Sequence, residues 1–580
     1  MSWVFGICGI LNREFTGTVE KIFPKPLYSF EEKNLYIRAG GKNCVRTFIQ
    51  SPLGNKDLLA LGIGIKSGSG SYKFVKKDEW PLIVSDSEIN KLNGHFVLIK
   101  WDEKQIEIFT DNTGLRDIYF AQTPDGNIVF STRADWLVRA INARLNLKQF
   151  GSKWLLFNKI SPESDFIGID RVIGGGSVII NRFTNKIRIN KKSIIPALNI
   201  GKLSDDEFHN ILKNLVCFPL SEGYKVSLSL SGGMDSRVLF SILLNSKASL
   251  WNTHTFGNVN SSDSIIARRI TSRFNIENIH IDEPLPDADK LLAELKEYVS
   301  ATIISNEASA VLQLRNYSLI NSPNTVIIDG GFGEIWRREF FNRLLFSGRN
   351  ALISGDTEGI IRFLFYRRAD VFSEEMTRIM LEGAKEQIEN LNGLLPPVNL
   401  TGAENRADLM AINTRFINFY SNEQARLDSE IFCYMPFAQP DLVSRLFAVS
   451  LEQKENGKLL REVIRKNNKQ LTKFLLARGE ISHPFWFNPL MSRIWKAGAK
   501  KAGIRLYNDH RTENLLNALS AFILDTISSS DVKSCGFYDY NKLSVLSGEL
   551  KKGALTPGAM RELDWWLSFE VFRQFNKLRA

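Results

Sequence analysis

Cysteine is scarce in this chain of 580 residues, and what there is lies scattered. The five are Cys8, Cys44, Cys217, Cys433 and Cys535. Their number is odd and no pair has Cys-x-x-Cys spacing, which argues against a disulfide framework and a thiolate zinc site and fits a reducing, cytoplasmic setting. The six histidines are equally dispersed, none paired at metal-ligand spacing. No window holds the ~18 unbroken apolar residues of a membrane span. The apolar start MSWVFGICGILNREF has neither a basic leader nor a clear cleavage site, so it reads as a buried strand. Runs of five basic residues are missing too, although the net charge of +11 leaves room for nucleic acid, an acidic membrane surface or an anionic substrate. The densest basic group is Arg337, Arg338 and Arg343, just after a glycine-rich turn. A GxxxxGK[ST] phosphate loop is absent. With 44% hydrophobic and 24% charged residues, the remainder is that of a globular protein of several domains.

Residues 1–200 are dominated by short β-prone runs such as HFVLIKWD, QIEIFTD and SVIINRFTNKIRI, with helices expected at Ala134–Ala143 and Leu147–Leu156. That pattern predicts sheets layered with helices. From about Leu203 strands alternate with helices. Strands are expected at Lys225–Leu230, Leu250–Phe256, Ile279–Ile281 and Thr325–Asp329. Helices are expected at Asp205–Cys217, Asp263–Phe274 and Ala288–Ser300. Alternation of this kind predicts βαβ units and a parallel sheet. Beyond about residue 337 the chain reads as almost wholly helical. In the last helix, Ala559–Lys577, the aromatic stripe reads as core.

The central stretch is KVSLSLSGGMDSRVLFSILLNSK, Lys225–Lys247. A strand, a turn at Ser231-Gly232-Gly233 and a helix N-terminus make an anion site, because backbone N–H groups converge there and the helix dipole favours negative charge. Ser231 and Ser236 add hydroxyls. Asp235 cannot face a phosphate alone and suits a Mg²⁺ that bridges phosphate oxygens. Three strand ends, Ser231–Ser236, Thr255–Gly257 and Asp329–Glu334, should open on one crevice. SGGxDS resembles the pyrophosphate loop of ATP pyrophosphatase enzymes.

Taken together, the chain resembles the asparagine synthetase superfamily, which includes β-lactam synthetases and lasso-peptide cyclases. SGGMDSR is the specific match. Gly94–Phe120, Phe166–Ile180, Pro436–Val449 and Lys458–Ile464 support it. The resemblance implies an α/β protein with an N-terminal layered α-β-β-α amidotransferase-like domain over 1–200. Residues 201–580 would form a parallel-sheet ATP pyrophosphatase domain of the adenine nucleotide α-hydrolase-like kind, with a large helical extension. By position, Leu230, Ser231, Gly232, Gly233, Asp235 and Ser236 would hold ATP, with Thr255, Phe256 and Gly257 near adenine and Asp329-Gly330 beside the nucleotide. Asp235 and Glu334 would hold Mg²⁺. Where the family places a late lysine, this chain offers Arg478, with Lys473 as a fallback. The implied chemistry is adenylation of a small-molecule, sugar or peptide carboxylate, release of pyrophosphate, and capture by an amine or ammonia.

Departures from the family pattern narrow this expectation. The catalytic cysteine at position 2 is replaced by Ser2, and Cys8 has seven residues ahead of it and so no free α-amine to act as base. No HRGPD-like or NGEIYN-like glutamine-binding segment is found, so glutaminase activity is not expected. Gly331 or Phe332, and Phe432, stand where the family has a tyrosine or acidic residue, so asparagine itself is not the expected product. Two alternatives stand beside the ligase: a nucleotide-binding relative without turnover, and a tRNA-modifying ATP pyrophosphatase. The latter is opposed by the late position of the loop and the lack of paired cysteines, so no nucleic-acid partner is expected. The reading allows a homodimer.

Overall fold

The β-prone runs of the first 200 residues pair into two antiparallel sheets that pack face to face. One has the strand order Ile169–Val172, Ile118–Gln122, Ile128–Ser131, Trp3–Cys8, Leu35–Gly40, Tyr28–Glu32. The other runs Ile187–Asn190, Ser177–Asn181, Gln105–Thr110, Asn93–Trp101, Lys56–Gly68, Cys44–Ile49, with Ser71–Phe74 paired to Lys56–Gly68. In the computed structural model the described residues are 2–50, 56–68, 70–85, 88–192, 196, 201–478, 481–501 and 510–579, with backbone alone at Leu314, Arg478, Ile481, Pro489, Arg493 and Lys500. Residue 200, the expected domain boundary, lies outside them.

The run HFVLIKW shows why these strands read as unbroken apolar stretches. Val97 and Ile99 point into the core between the sheets, while Phe96 and Leu98 pack outward under Trp80 and Val84 of the helix Trp80–Ser85. Both faces of the strand are covered, so alternation is lost. On the other side the helix Ala134–Ile141 covers the first sheet, and Trp3 stacks edge-on against Trp136 at 5.1 Å. The run Trp3–Cys8 is thus a central, buried strand, in line with its sequence.

After residue 201 a five-stranded parallel sheet follows, in the order Asn278–Ile281, Trp251–Phe256, Lys225–Ser229, Thr325–Ile328, Cys433–Tyr434. The four longer strands lie within one residue of their expected limits. The fifth, two residues long, interrupts a region expected to be helical. A second interruption is the hairpin Leu476–Arg478/Ile481–His483. The rest of the chain beyond 337 is mainly helical, including a nine-residue π-helix at Ile412–Tyr420. The helix Pro557–Phe575 is central, with Trp566, Leu567 and Phe569 fully enclosed. Its aromatic stripe is core, as its spacing predicted.

Candidate functional site

The parallel sheet has one point where its winding reverses. From Lys225–Ser229 the chain steps outward through Trp251–Phe256 to Asn278–Ile281, then returns to the other side as Thr325–Ile328. The crevice at the carboxyl ends of two strands that part in this way is where open α/β sheets bind ligands. Here those ends carry Leu230–Asp235 and Asp329–Glu334.

The first loop is built from local physical constraints. Leu230 N–H donates to the His254 carbonyl (2.9 Å), which continues the parallel ladder, and the Thr255 hydroxyl donates to Leu230 O (2.9 Å). Ser231 N–H reaches Ser236 Oγ (3.2 Å), Gly233 N–H reaches Ser231 Oγ (3.2 Å), and Gly232 N–H donates to Asp263 Oδ1 (2.7 Å). The turn is thereby fixed, and Asp263 serves it as a carboxylate acceptor, although burial raises the Asp263 pKa. The helix Met234–Ser246 then begins from an extended Gly233 with no side-chain cap on its N-terminus. Its first-turn N–H groups carry the positive end of a 13-residue helix.

The second loop lies hard against that N-terminus. A Cβ on Gly330 would sit 2.8 Å from Ser236 N, and one on Gly333 would sit 2.6 Å from Asp235 Cγ. Glycine is required at both positions for this approach. Between the two, Phe332 adopts the left-handed region (φ 65°) with its ring buried against Phe416 at 4.3 Å. Such strain persists only where packing enforces it. The outcome is that Asp235 and Glu334, from two adjacent strand ends, share one place. Arg337 joins them: its Nε and Nη2 donate to Asp235 Oδ1 and Oδ2 (2.9 and 2.8 Å), and its Nη1 pairs with Glu339 at 3.0 Å. Burial works against the Arg337 charge, but Asp235 and Glu339 outweigh it and hold its pKa above the ordinary arginine value. Glu334 Oε2 accepts from the Tyr420 hydroxyl (3.1 Å), and burial, then the Asp235 charge, push the Glu334 pKa up.

These groups open on a cavity of about 290 Å³, lined by Gly233, Met234, Glu334, Arg337, Arg461 and His483 among others. Arg461 donates to Asn456 O (3.1 Å) and Phe487 O (2.9 Å) and keeps Nη1 buried with no hydrogen-bond partner among the described residues. Burial, then Arg465 and Arg337, lower its pKa to about 10. The hairpin after Leu475 forms a wall: Ala477 N–H donates to Gly232 O (2.9 Å). Arg237, wholly enclosed in the helix after Asp235, fastens that wall by donating to Phe474 O (2.9 Å), Leu475 O and Gly232 O (3.1 Å). Burial brings Arg237 down to about 9.

The other expected residues fall as follows. The Phe256 ring packs on Tyr317 at 4.7 Å, and Gly257 takes φ 98°, open only to glycine. Asp329 Oδ1 accepts from Gly331 N–H (2.6 Å), and burial raises its pKa to about 6. Lys473 is exposed at the end of a short turn and is not among the residues that line the cavity. Arg478 lies in the hairpin, its side chain outside the described residues. Ser2 is fully buried; its hydroxyl accepts from Arg116 Nη1 (3.0 Å) and its carbonyl from Nη2 (2.7 Å). Arg116 in turn pairs with Asp428, which also meets His95 at 2.8 Å. Gly94 N–H is taken by Gln439 Oε1 (2.7 Å). Sequence reasoning missed Arg461, Tyr420 and Asp263 as members of this site. Arg337 it did single out, as part of the basic cluster after the glycine-rich turn.

Among the described residues no group of three or more His, Cys, Asp or Glu side chains gathers as a ready cage for a metal. Two carboxylates suit a hard divalent ion that takes its remaining oxygens from phosphate and water. The donor set therefore fits Mg²⁺ in kind, with the Arg337 guanidinium competing for Asp235.

No family model and no curated protein matches this chain. Among solved structures it is similar to glutamine phosphoribosylpyrophosphate amidotransferase from B. subtilis, complexed with ADP and GMP. There the identity is 10%, 48% of this chain and 90% of that chain are covered, and the TM-score is 0.24. It is also similar to an allosteric regulatory enzyme of purine biosynthesis, at 12% identity over 56% of this chain and 74% of that one, with a TM-score of 0.22. Likenesses this loose carry neither fold nor function.

Proposed function

We propose that the protein activates a carboxylic acid with ATP and passes it to an amine, in the manner of the asparagine synthetase superfamily its sequence resembles. One observation carries this reading: Asp235 and Glu334 meet at the switch point of a parallel sheet, beside the uncapped start of a helix and two guanidinium groups that line one cavity. Acid and cationic groups in one crevice are what a metal–triphosphate requires.

In this reading the first-turn N–H groups after Gly233 and the free Nη1 of Arg461 receive the pyrophosphate portion of ATP. Asp235 and Glu334 would hold Mg²⁺, which when bound draws charge from phosphate oxygens. The substrate carboxylate attacks the α-phosphorus, pyrophosphate departs with the electron pair of the broken P–O bond, and the acyl-adenylate remains. Tyr420 orients Glu334 by its hydrogen bond. The paired strands Leu476–Arg478 and Ile481–His483 form the wall that keeps water from the adenylate. Ser2 and Gly94 have their polar groups engaged by Arg116 and Gln439, so the nitrogen comes from an amine or free ammonia and not from glutamine hydrolysis within the N-terminal layers. The test is carboxylate-dependent ATP–pyrophosphate exchange across a panel of acids. Asp235→Asn should lower exchange about a hundredfold or more with the circular dichroism spectrum unchanged; exchange at the wild-type rate in that variant rejects the reading.

A second reading, a nucleotide-binding relative without turnover, is favoured by the bidentate hold of Arg337 on Asp235. It predicts ATP binding with no AMP formed under any acid and amine.

A further inference from the structure

The helix that follows the hairpin, Pro489–Lys501, presents two different faces at the same site. Asn488 caps it, its Oδ1 accepting from Met491 N–H at 2.8 Å. Asn488 and Ser492, four apart and so on one face, line the cavity that holds Glu334 and Arg337. The neighbouring face carries Met491, Ile494, Trp495 and Gly498, which with Trp486 and Phe487 line a separate groove of about 550 Å³. Phe487 belongs to both spaces, and its carbonyl is held by Arg461. The two spaces adjoin at Phe487.

Its lining is apolar and largely open to water. Trp486 is 66% exposed, Ile494 64%, Trp495 47% and Met491 43%. Phe487 is the hub, edge-on to Trp486 at 4.6 Å and to Trp495 at 5.7 Å. A contiguous apolar surface of this kind marks a binding site. Among the described residues its lining offers no polar side chain beyond the indole N–H groups. A peptide laid there would leave backbone amides without partners, which costs free energy for each one. A hydrocarbon chain has no such need, and Met491 adapts to one readily.

We propose that this groove binds the aliphatic chain of the acid whose carboxylate reaches the cavity: the substrate is a medium- or long-chain acyl carboxylate. This rests on the reading of the cavity as the carboxylate-activating site, and the two are separable by experiment. Gly498 supplies the variant. A Cβ there meets nothing within 4 Å, and leucine is a better helix former than glycine, so Gly498→Leu fills the groove without disturbing the fold. Binding is read first without ATP, from the fluorescence of the exposed tryptophans titrated with decanoate, hexanoate and acetate. Affinity should rise up to roughly fourfold for each methylene that leaves water, and Gly498→Leu and Ile494→Asp should each remove that dependence. In pyrophosphate exchange the KM for decanoate should rise at least tenfold in Gly498→Leu, with that for acetate unchanged. Chain-length-dependent binding without exchange for any acid would retain the groove and reject the proposed activity. Exchange with no preference for longer chains, or equal decanoate affinity in Gly498→Leu, overturns the groove. So does binding to phosphatidylglycerol vesicles, or a dimer lost in Ile494→Asp, where free decanoate gives no response.

Discussion

If Asp235 holds a divalent ion as proposed, Arg337 competes with that ion for it, and the energetic consequence can be worked through. The guanidinium makes two charge-assisted bonds to Asp235, at 2.9 and 2.8 Å, and a third contact to Glu339 at 3.0 Å. The side chains of the Asp235 pair are only 13% and 21% exposed, so water screens them little. Hydrogen bonds to charged groups contribute about 1.5–3 kcal/mol each. An ion that takes Asp235 from Arg337 forfeits part of that, about 2–3 kcal/mol once the guanidinium finds Glu339 and water instead. Arg337→Met removes the competitor and leaves Asp235 beside Glu334 with no bidentate partner. At 1.4 kcal/mol per tenfold, Mn²⁺ should bind the variant roughly 30- to 150-fold more tightly than the parent chain, measured by electron paramagnetic resonance of free Mn²⁺. Asp235→Asn in the same background should abolish the gain. Equal Mn²⁺ affinity in the parent chain and Arg337→Met would refute the competition and, with it, the assignment of Asp235 and Glu334 as ion ligands.

Loss of exchange in Asp235→Asn and loss of chain-length preference in Gly498→Leu test the reaction and its substrate as set out above. His254 should set the acid limit of the parallel sheet. Its imidazole bonds Ser227 inside the sheet, and burial lowers its pKa from 6.5 to about 3. A depressed folded value gives stability that is full above pH 6.5 and is lost as pH falls toward 3, about 2 kcal/mol by pH 5; His254→Gln should flatten the apparent Tm profile between pH 6.5 and 4. Arg116→Met should strip Asp428 of a fully enclosed partner and cost about 3–5 kcal/mol. In denaturant midpoints, Asp428→Asn added to it should then cost less than the two single changes summed.

Much of this arrangement was legible because local chemistry dictated it. The strand, turn and helix of Lys225–Lys247 follow from alternation, two glycines and an apolar helix, and two of the three strand ends expected to share a crevice, Ser231–Ser236 and Asp329–Glu334, lie against each other. The fifth strand, Cys433–Tyr434, was not legible. It is two residues long and pairs only with Ile327 and Ile328; Ile431, Phe432 and Tyr434 are β-prone, but so short an apolar run cannot be told from a buried helix segment. The hairpin at Leu476 was not legible for a related reason. Its pairing is short, and its place is set by Arg237 and Gly232, more than 200 positions earlier in the chain. Arg461 and Tyr420 were hidden in amphipathic helices, where a polar residue near an apolar face is ordinarily a solvated edge. Their role depends on which helix ends near Gly233, and that is tertiary information. Arg337 could be seen as part of a basic cluster, but its acidic partner could not.

The least expected connection runs through the rod formed by the π-helix Ile412–Tyr420 and the helix Ser421–Leu427. Asn418 and Tyr420 are two positions apart and so project to opposite sides. Asn418 accepts from Arg171 (2.7 Å) and donates to the carbonyls of Lys159 and Ser161, all in the N-terminal half. Tyr420 donates to Glu334. One turn further on Gln424 meets His95, a turn beyond that Asp428 meets His95 and Arg116, and Arg116 holds Ser2. π-Helical geometry is uncommon and tends to occur at functional sites; here the rod that contains it meets both halves of the chain with polar groups. In the proposed activity, an N-terminal half without glutaminase chemistry still has work to do. Its buried charges fix the rod, the rod fixes the Tyr420 hydroxyl, and that hydroxyl fixes the carboxylate opposite Asp235. A glutamine-sized opening at Ser2 would remove Arg116 from Asp428 and loosen that chain of contacts at its base.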